Sequence, residues 1–336
     1  MITIHENYGD SVDGLNTYCW VDARNVSNED MAQLQRQYNI SSDLIADIMD
    51  QDEQSRIEKE DEYVDLILRL PILDERRKSG SQNEVPLGIV LLPKMVITIC
   101  QSESMVLEDF AKNRFRHYPV QSKEGFVISL MGRSAVVFIR LLKSLNREKD
   151  LVEKELHRSI MNYELLKLLQ IQKSLVYLTT SLTTNEALLE RLNKTTIFKL
   201  NGTEEQDFLE DTITDNRQAI EMANIYTSIL TGTMDCFASV ISNNMNVIMK
   251  RLTIISISFM FPTFIVSFWG MNIKLPFMQL KWAWVLMVAI CAIAALVGIL
   301  FLSDWQNARL IAMATEGKPN KKRKQGRKNE DEQREG

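Results

Sequence analysis

The sequence predicts a mixed α/β domain, then a helical hairpin and a very long stalk helix, and finally two membrane-spanning helices. Three observations carry this prediction. Short β-rich segments cluster in the first hundred residues, whereas Thr203 to Phe261 contains no proline and only one glycine, Gly232. Two stretches of 22 residues, between Arg251 and Lys274 and between Lys281 and Asp304, contain no charged side chain. Charge is also divided along the chain in blocks.

The 336 residues contain 39 Lys and Arg and 44 Asp and Glu, a net charge of −5. An apolar content of 45% supplies a real core and excludes bulk disorder. A net acidic chain also argues against a general nucleic-acid binder, which needs surplus basic side chains for phosphates. The mild total conceals −11 in residues 1–250, +3 in residues 251–302 and +3 in the last 34 residues. The middle block holds Arg251, Lys274 and Lys281 and no acid.

The α/β domain is expected over residues 1–120. Its strands are read at Tyr18 to Asp22, Tyr63 to Leu70, Leu87 to Leu92 and Met95 to Cys100, the last two joined through Pro93 and Lys94 as a hairpin. Ser27 to Tyr38 reads as a helix, with Ser27 or Asn28 as cap and Glu29 and Asp30 in the first turn. The opening MITIHENYGDSVDG has no basic and apolar leader pattern, so no cleaved signal is expected. The helical hairpin is expected over 121–202 and ends in a turn at Lys199 to Gly202.

The stalk is expected over 203–251 and the first membrane helix over 252–271, as one helix from about Glu204 to Trp269. At 1.5 Å per residue it would be on the order of 100 Å long, too long for one small globule. An outer loop follows over 272–281. The second membrane helix, 282–303, is apolar all round and begins with Trp282 and Trp284, suited to an interface. A basic tail, 304–336, holds Lys318, Lys321, Lys322, Arg323, Lys324, Arg327 and Lys328 and is expected on the cytoplasmic side, near anionic lipid. Two spans then place both termini in the cytoplasm.

One face of the long helix stands out. Asp235, Ser239, Ser242, Asn246, Met249, Thr253, Ser256, Met260, Thr263 and Ser267 alternate at spacings of four and three, so they form a single stripe of polar, small or methionine side chains. A second stripe, Ile213, Ile220, Met234, Ile241, Ile248 and Ile255, supplies a packing face. One narrow polar face per subunit encloses water only when several copies turn it inward. Asp235 would then form a carboxylate ring that concentrates cations, Met249, Leu252 and Met260 would form apolar constrictions, and Asn246 and Thr263 would offer neutral oxygens. The competing reading is that the hydroxyls bond back to their own helix or glue it to the second span. Cys19, Cys100, Cys236 and Cys291 and the three histidines form no local soft-metal motif, and no nucleophile, base and orienting group occur at catalytic spacing. No enzyme and no catalytic cofactor is expected.

At the end of this helix, Phe268 and Trp269 precede Gly270, Met271 and Asn272, after LTIISISFMFPTF. This segment, with a second span and a basic tail after it, closely resembles the CorA family of divalent-cation channels. The likeness runs clearly from Asp235 to Phe301. It is fainter at Trp20-Val21-Asp22 and from Asp50 through Ile57 and Glu58 to Tyr63. The resemblance implies a funnel-shaped homopentamer that passes Mg²⁺ down the membrane potential, with lipid around it and no obligatory protein partner. It implies that Gly270, Met271 and Asn272 hold a hydrated Mg²⁺ at the outer entrance, with Co²⁺ or Ni²⁺ as further cargo. It also implies closure when internal Mg²⁺ binds between subunits, at Asp211 with Asp74 as partner. Two features depart from the family. The outer loop, Ile273 to Lys281, is basic where many members carry an acid, and Pro262 stands one residue later than usual. Zn²⁺ or another transition metal is the alternative cargo, and a non-transporting membrane-anchored coiled-coil scaffold is the alternative of another class.

Overall fold

The computed structural model describes residues 2–8, 18–72, 84–112, 114, 120, 122–158, 162–200, 202–271, 282, 284–286 and 288–297. The chain forms two compact units, Met1–Phe237 and Ala238–Gly336.

The first unit is built on a six-stranded sheet. In chain order its elements are β1 (Ile2–Tyr8), β2 (Tyr18–Arg24), helices α1 (Asn28–Tyr38) and α2 (Ser42–Met49), then β3 (Arg56–Lys59), β4 (Val64–Pro71), β5 (Glu84–Leu92) and β6 (Met95–Cys100). The sheet order is β1-β2-β6-β5-β4-β3, antiparallel except for β2 against β6. Both faces are covered, so the central strands are apolar almost throughout instead of alternating. Leu66, Leu68, Leu70, Leu87, Ile89 and Val96 enter one core, which also contains Phe110, Phe126, Leu188 and Leu209. Ile67, Val90, Ile97 and Ile99 enter the opposite core with Leu34 and Leu44 of the two early helices.

The four expected strands are present, with β6 at its expected bounds and β2, β4 and β5 offset or longer by a few residues. Two more strands, β1 and β3, were not expected. Both are edge strands, and β3 (RIEK) commits only Ile57 fully to the core, so its composition reads as polar. Ser27 is the cap of α1: its hydroxyl accepts from the Asp30 amide while the Asp30 carboxylate accepts from the Ser27 amide.

Helices α3 (Met105–Ala111), α4 (Lys123–Arg158), α5 (Asn162–Lys194) and α6 (Thr203–Trp269) complete the order, with α4 and α5 as the hairpin. Phe138, Leu142, Leu168, Leu175, Ala219 and Leu230 form their shared core. At Gly132 of α4 a side chain would meet Thr212 and Phe208 of α6 at 3.0 and 3.2 Å, so glycine permits the close approach. Asn185 of α5 joins the hairpin to the sheet. Its Oδ1 accepts from the Arg69 amide and its Nδ2 donates to the Arg69 carbonyl, each at 2.9 Å. The β3 pairing ends at Ile67, so this side-chain amide stands in for a strand partner along the next part of β4. On the other side Arg69 faces Pro86, which has no amide hydrogen to offer.

The second unit comprises the rest of α6 and a further helix, α7 (Trp284–Val297). Both α4 and α6 are long and apolar enough to cross a membrane. In α4, 83% of the most apolar stretch is buried, which marks it as a core helix; in α6 the share is 6%.

Candidate functional site

The candidate site lies on α6, and its geometry follows from which face α7 covers. Within the second unit, Ile254, Ile257, Pro262 and Ile265 are less exposed than their neighbours, and Ser258 is only 5% exposed. On α7 the corresponding positions are Cys291, Ala294 and Ala295. Small side chains let the two backbones approach, as in many membrane helix pairs. The Cys291 thiol points to the Pro262 carbonyl at 3.9 Å. Pro262 lies inside the helix and removes the amide that would bond the Ser258 carbonyl.

The polar stripe occupies the other side. At 100° per residue, Thr253, Ser256, Met260, Thr263 and Ser267 centre about 155° from the less exposed positions Ile254, Ile257, Ser258, Pro262 and Ile265. Every one of the ten stripe residues from Asp235 to Ser267 is exposed. Leu252, Met249 and Met260 are 56%, 54% and 70% exposed, so the three apolar side chains are left largely uncovered by the described residues. The hydroxyls of Thr253, Ser256 and Thr263 donate to the carbonyls of Met249, Leu252 and Phe259 at 2.8, 2.9 and 2.7 Å. Back-bonding to the helix is therefore present, as the competing reading expects. Among the described residues, the hydroxyl on the side less exposed to solvent is Ser258, which lies outside the stripe and donates to the Ile254 carbonyl at 2.7 Å. Thr253, Ser256 and Thr263 have each spent their single hydroxyl proton on the helix, so their outward lone pairs can only accept. Such a surface suits the outward-pointing protons of a hydrated cation.

Gly270 is in the turn that follows α6, its amide donating to the Val266 carbonyl at 2.9 Å. Met271 is exposed. Asn272 lies outside the described residues, as do the loop 272–281, the tail and Asp74.

Asp211 is exposed on α6 within the first unit. One turn on, Asp215 is half-buried, and its carboxyl is pushed above the usual carboxylate range by burial and then by the negative charge of Asp211. This pairing joins a residue that sequence reasoning selected to one that it missed, although the i,i+4 spacing of the two acids signals it. Among the described residues no group of three or more His, Cys, Asp or Glu is gathered for a metal.

The family of CorA-like Mg²⁺ transporter proteins matches residues 16–303. The cobalt/magnesium transport protein CorA of Methanocaldococcus jannaschii is 26% identical over 257 residues, covering 75% of this chain and 79% of the relative. Its counterpart from Thermotoga maritima is 22% identical over 292 residues, covering 85% and 82%. Among solved structures, the complete CorA magnesium transporter of M. jannaschii superimposes with a TM-score of 0.74 at 21% identity, over 90% of this chain and 96% of the other. The full-length CmaX protein gives 0.63 at 15% identity, over 86% and 89%.

Proposed function

The chain belongs to the family of CorA-like Mg²⁺ transporters, and from that premise we propose that it is a homopentameric Mg²⁺ channel of the cytoplasmic membrane with both termini inside. Divalent-cation transport is the family's activity, and the relatives are named for magnesium and cobalt. The observation that carries the finer reading is the stripe on α6, exposed throughout and turned away from the helix that covers the other face. Five copies with this face inward would line a water-filled path. Asp235 would gather cations at the inner part, the hydroxyl oxygens of Thr253, Ser256 and Thr263 would accept from the ion's water shell, and Met249, Leu252 and Met260 would close the path by dewetting.

Mg²⁺ gives up water reluctantly, so an entrance of amide and carbonyl oxygens at Gly270, Met271 and Asn272 suits the hydrated ion. Inward movement of a dication through about 100 mV releases roughly 4.6 kcal/mol, so the membrane potential suffices as driving force. Closure would follow from internal Mg²⁺ bound between subunits near Asp211 and Asp74. Asp215 belongs with them, because a dication offsets the repulsion within the Asp211 and Asp215 pair. The charge of −11 on residues 1–250 supports the same idea, since loss of bound cations would loosen the cytoplasmic part.

The test is ion flux in proteoliposomes offered Mg²⁺, Co²⁺, Ni²⁺ or Zn²⁺, comparing wild type with Asn272→Ala. Mg²⁺ flux that Asn272→Ala abolishes is the expected result. No flux of any ion would overturn the channel reading, and Zn²⁺ flux dependent on a proton gradient would reassign the cargo.

A further inference from the structure

β3 is an edge strand of the sheet, and among the described strands it pairs with β4 alone. In that pairing Glu58 stands directly opposite Asp65, so the two carboxyl groups project from the same face. Asp65 is 3% exposed, and its Oδ1 has no hydrogen-bond partner among the described residues. Tyr63, just before β4, and Ile67 on it stand two positions to either side and belong to the core shared with α1 and α2. On β5 the residue opposite is Val90, which brings no charge.

The cation nearby is Arg56 of β3, and three other carboxylates engage it: Asp47 of α2, Glu53 of the preceding loop, and Glu58 at 2.9 Å. Beyond the strand, Glu60 adds negative charge toward Asp65. An ionised Asp65 would thus be a buried anion with one oxygen unmatched, facing like charge on its neighbouring strand. A neutral carboxyl costs far less there.

We infer that Asp65 is kept as a neutral, proton-bearing carboxylic acid at the edge of the sheet, and that loss of this proton loosens β3. Burial above all, and then the charge of Glu58, raises its pKa over the ordinary aspartate value, against the opposing effect of its own backbone amide and of Arg56. The folded pKa therefore lies above the unfolded one. The β3 pairing is strongest at or below the ordinary aspartate value of about 3.9. It weakens as pH rises from there through the raised pKa, because the opened strand releases the proton first. Arg56 also ties β3 to α2 through Asp47, so release of β3 breaks that ion pair as well. This edge would make the acidic body responsive to protons, whatever ion the protein carries.

Hydrogen exchange on the full chain in detergent micelles reads the device at the amides of Glu58 and Arg56, which stand in the hydrogen-bonded pairs with Asp65 and Ile67. After correction for intrinsic exchange, protection should fall by up to about tenfold per pH unit across the window, the slope for one proton. Asp65→Asn should remove that slope and protect the strand at least as well at neutral pH. Glu58→Gln, at a residue whose side chain is 51% exposed, should move the midpoint to lower pH. Infrared difference spectra should contain a protonated-carboxyl band that Asp65→Asn removes. A flat wild-type profile, an unchanged slope in Asp65→Asn, an unmoved midpoint in Glu58→Gln, or absence of that band would each overturn the inference.

Discussion

Replacing Asn185 by alanine should unfasten the helical hairpin from the sheet, and the cost can be worked from the contacts. Asn185 is 3% exposed and satisfies both the amide and the carbonyl of Arg69 at 2.9 Å. It also accepts from the Ser55 hydroxyl at 2.6 Å. No neighbouring strand replaces these bonds, because β3 pairs with β4 only as far as Ile67 and Pro86 lies on the other side. Each buried group left unpaired costs about 1–3 kcal/mol, so the two backbone groups lose roughly 2–6 kcal/mol before water enters. At about 1.4 kcal/mol per factor of ten, exchange of the Arg69 amide should accelerate more than about 20-fold. Asn185→Asp should also weaken the joint. It keeps the acceptor for the Arg69 amide but turns a carboxylate oxygen toward the Arg69 carbonyl. Exchange at Arg69 within about threefold of wild type, with native circular dichroism, would refute the idea that this side chain acts as a strand partner.

Other consequences are testable in the same preparations. Gly88→Ala places a Cβ 2.1 and 2.6 Å from Cδ1 and Cγ1 of the buried Ile48, so that side chain or α2 must shift, at about 1–3 kcal/mol; Ile48→Val should recover part of the loss in a double-mutant cycle by exchange at β5. Asp211→Asn should bring the Asp215 carboxyl down toward its ordinary pKa, read by carbon-detected titration, because Asp211 is one of the two causes of its rise. Since that raised pKa withdraws stability as pH rises above the ordinary value, Asp211→Asn should also protect this part of α6 better at neutral pH. Ser256→Leu with Thr263→Leu should abolish cation flux and leave helix content unchanged, whereas undiminished flux would refute the stripe as the lining of the path.

The membrane-facing part was legible because its signals are local. Uncharged runs suggest span lengths, and a four-three spacing selects one face of any helix, so the shared face of the stripe from Asp235 to Ser267 needed no tertiary information. β6 was legible through the Pro93-Lys94 turn. β1 and β3 were not, since edge strands bury too little to show a pattern. The same limit hid Asp215, whose half-buried state depends on what packs around it, and Asn185, whose partner is 116 residues away along the chain.

By itself, then, the sequence determined where charge is absent, which helix is long, and which of its residues share a face, because these depend on composition and on the fixed geometry of a helix. The tertiary structure decided which face α7 covers, that a side-chain amide continues the sheet where β3 stops, and that Glu58 meets Asp65 across a strand pair. These depend on register and burial. A one-residue slip would turn Asp65 to the other face of the sheet, and no local property of RIEK or VDLILRLP fixes that register in advance.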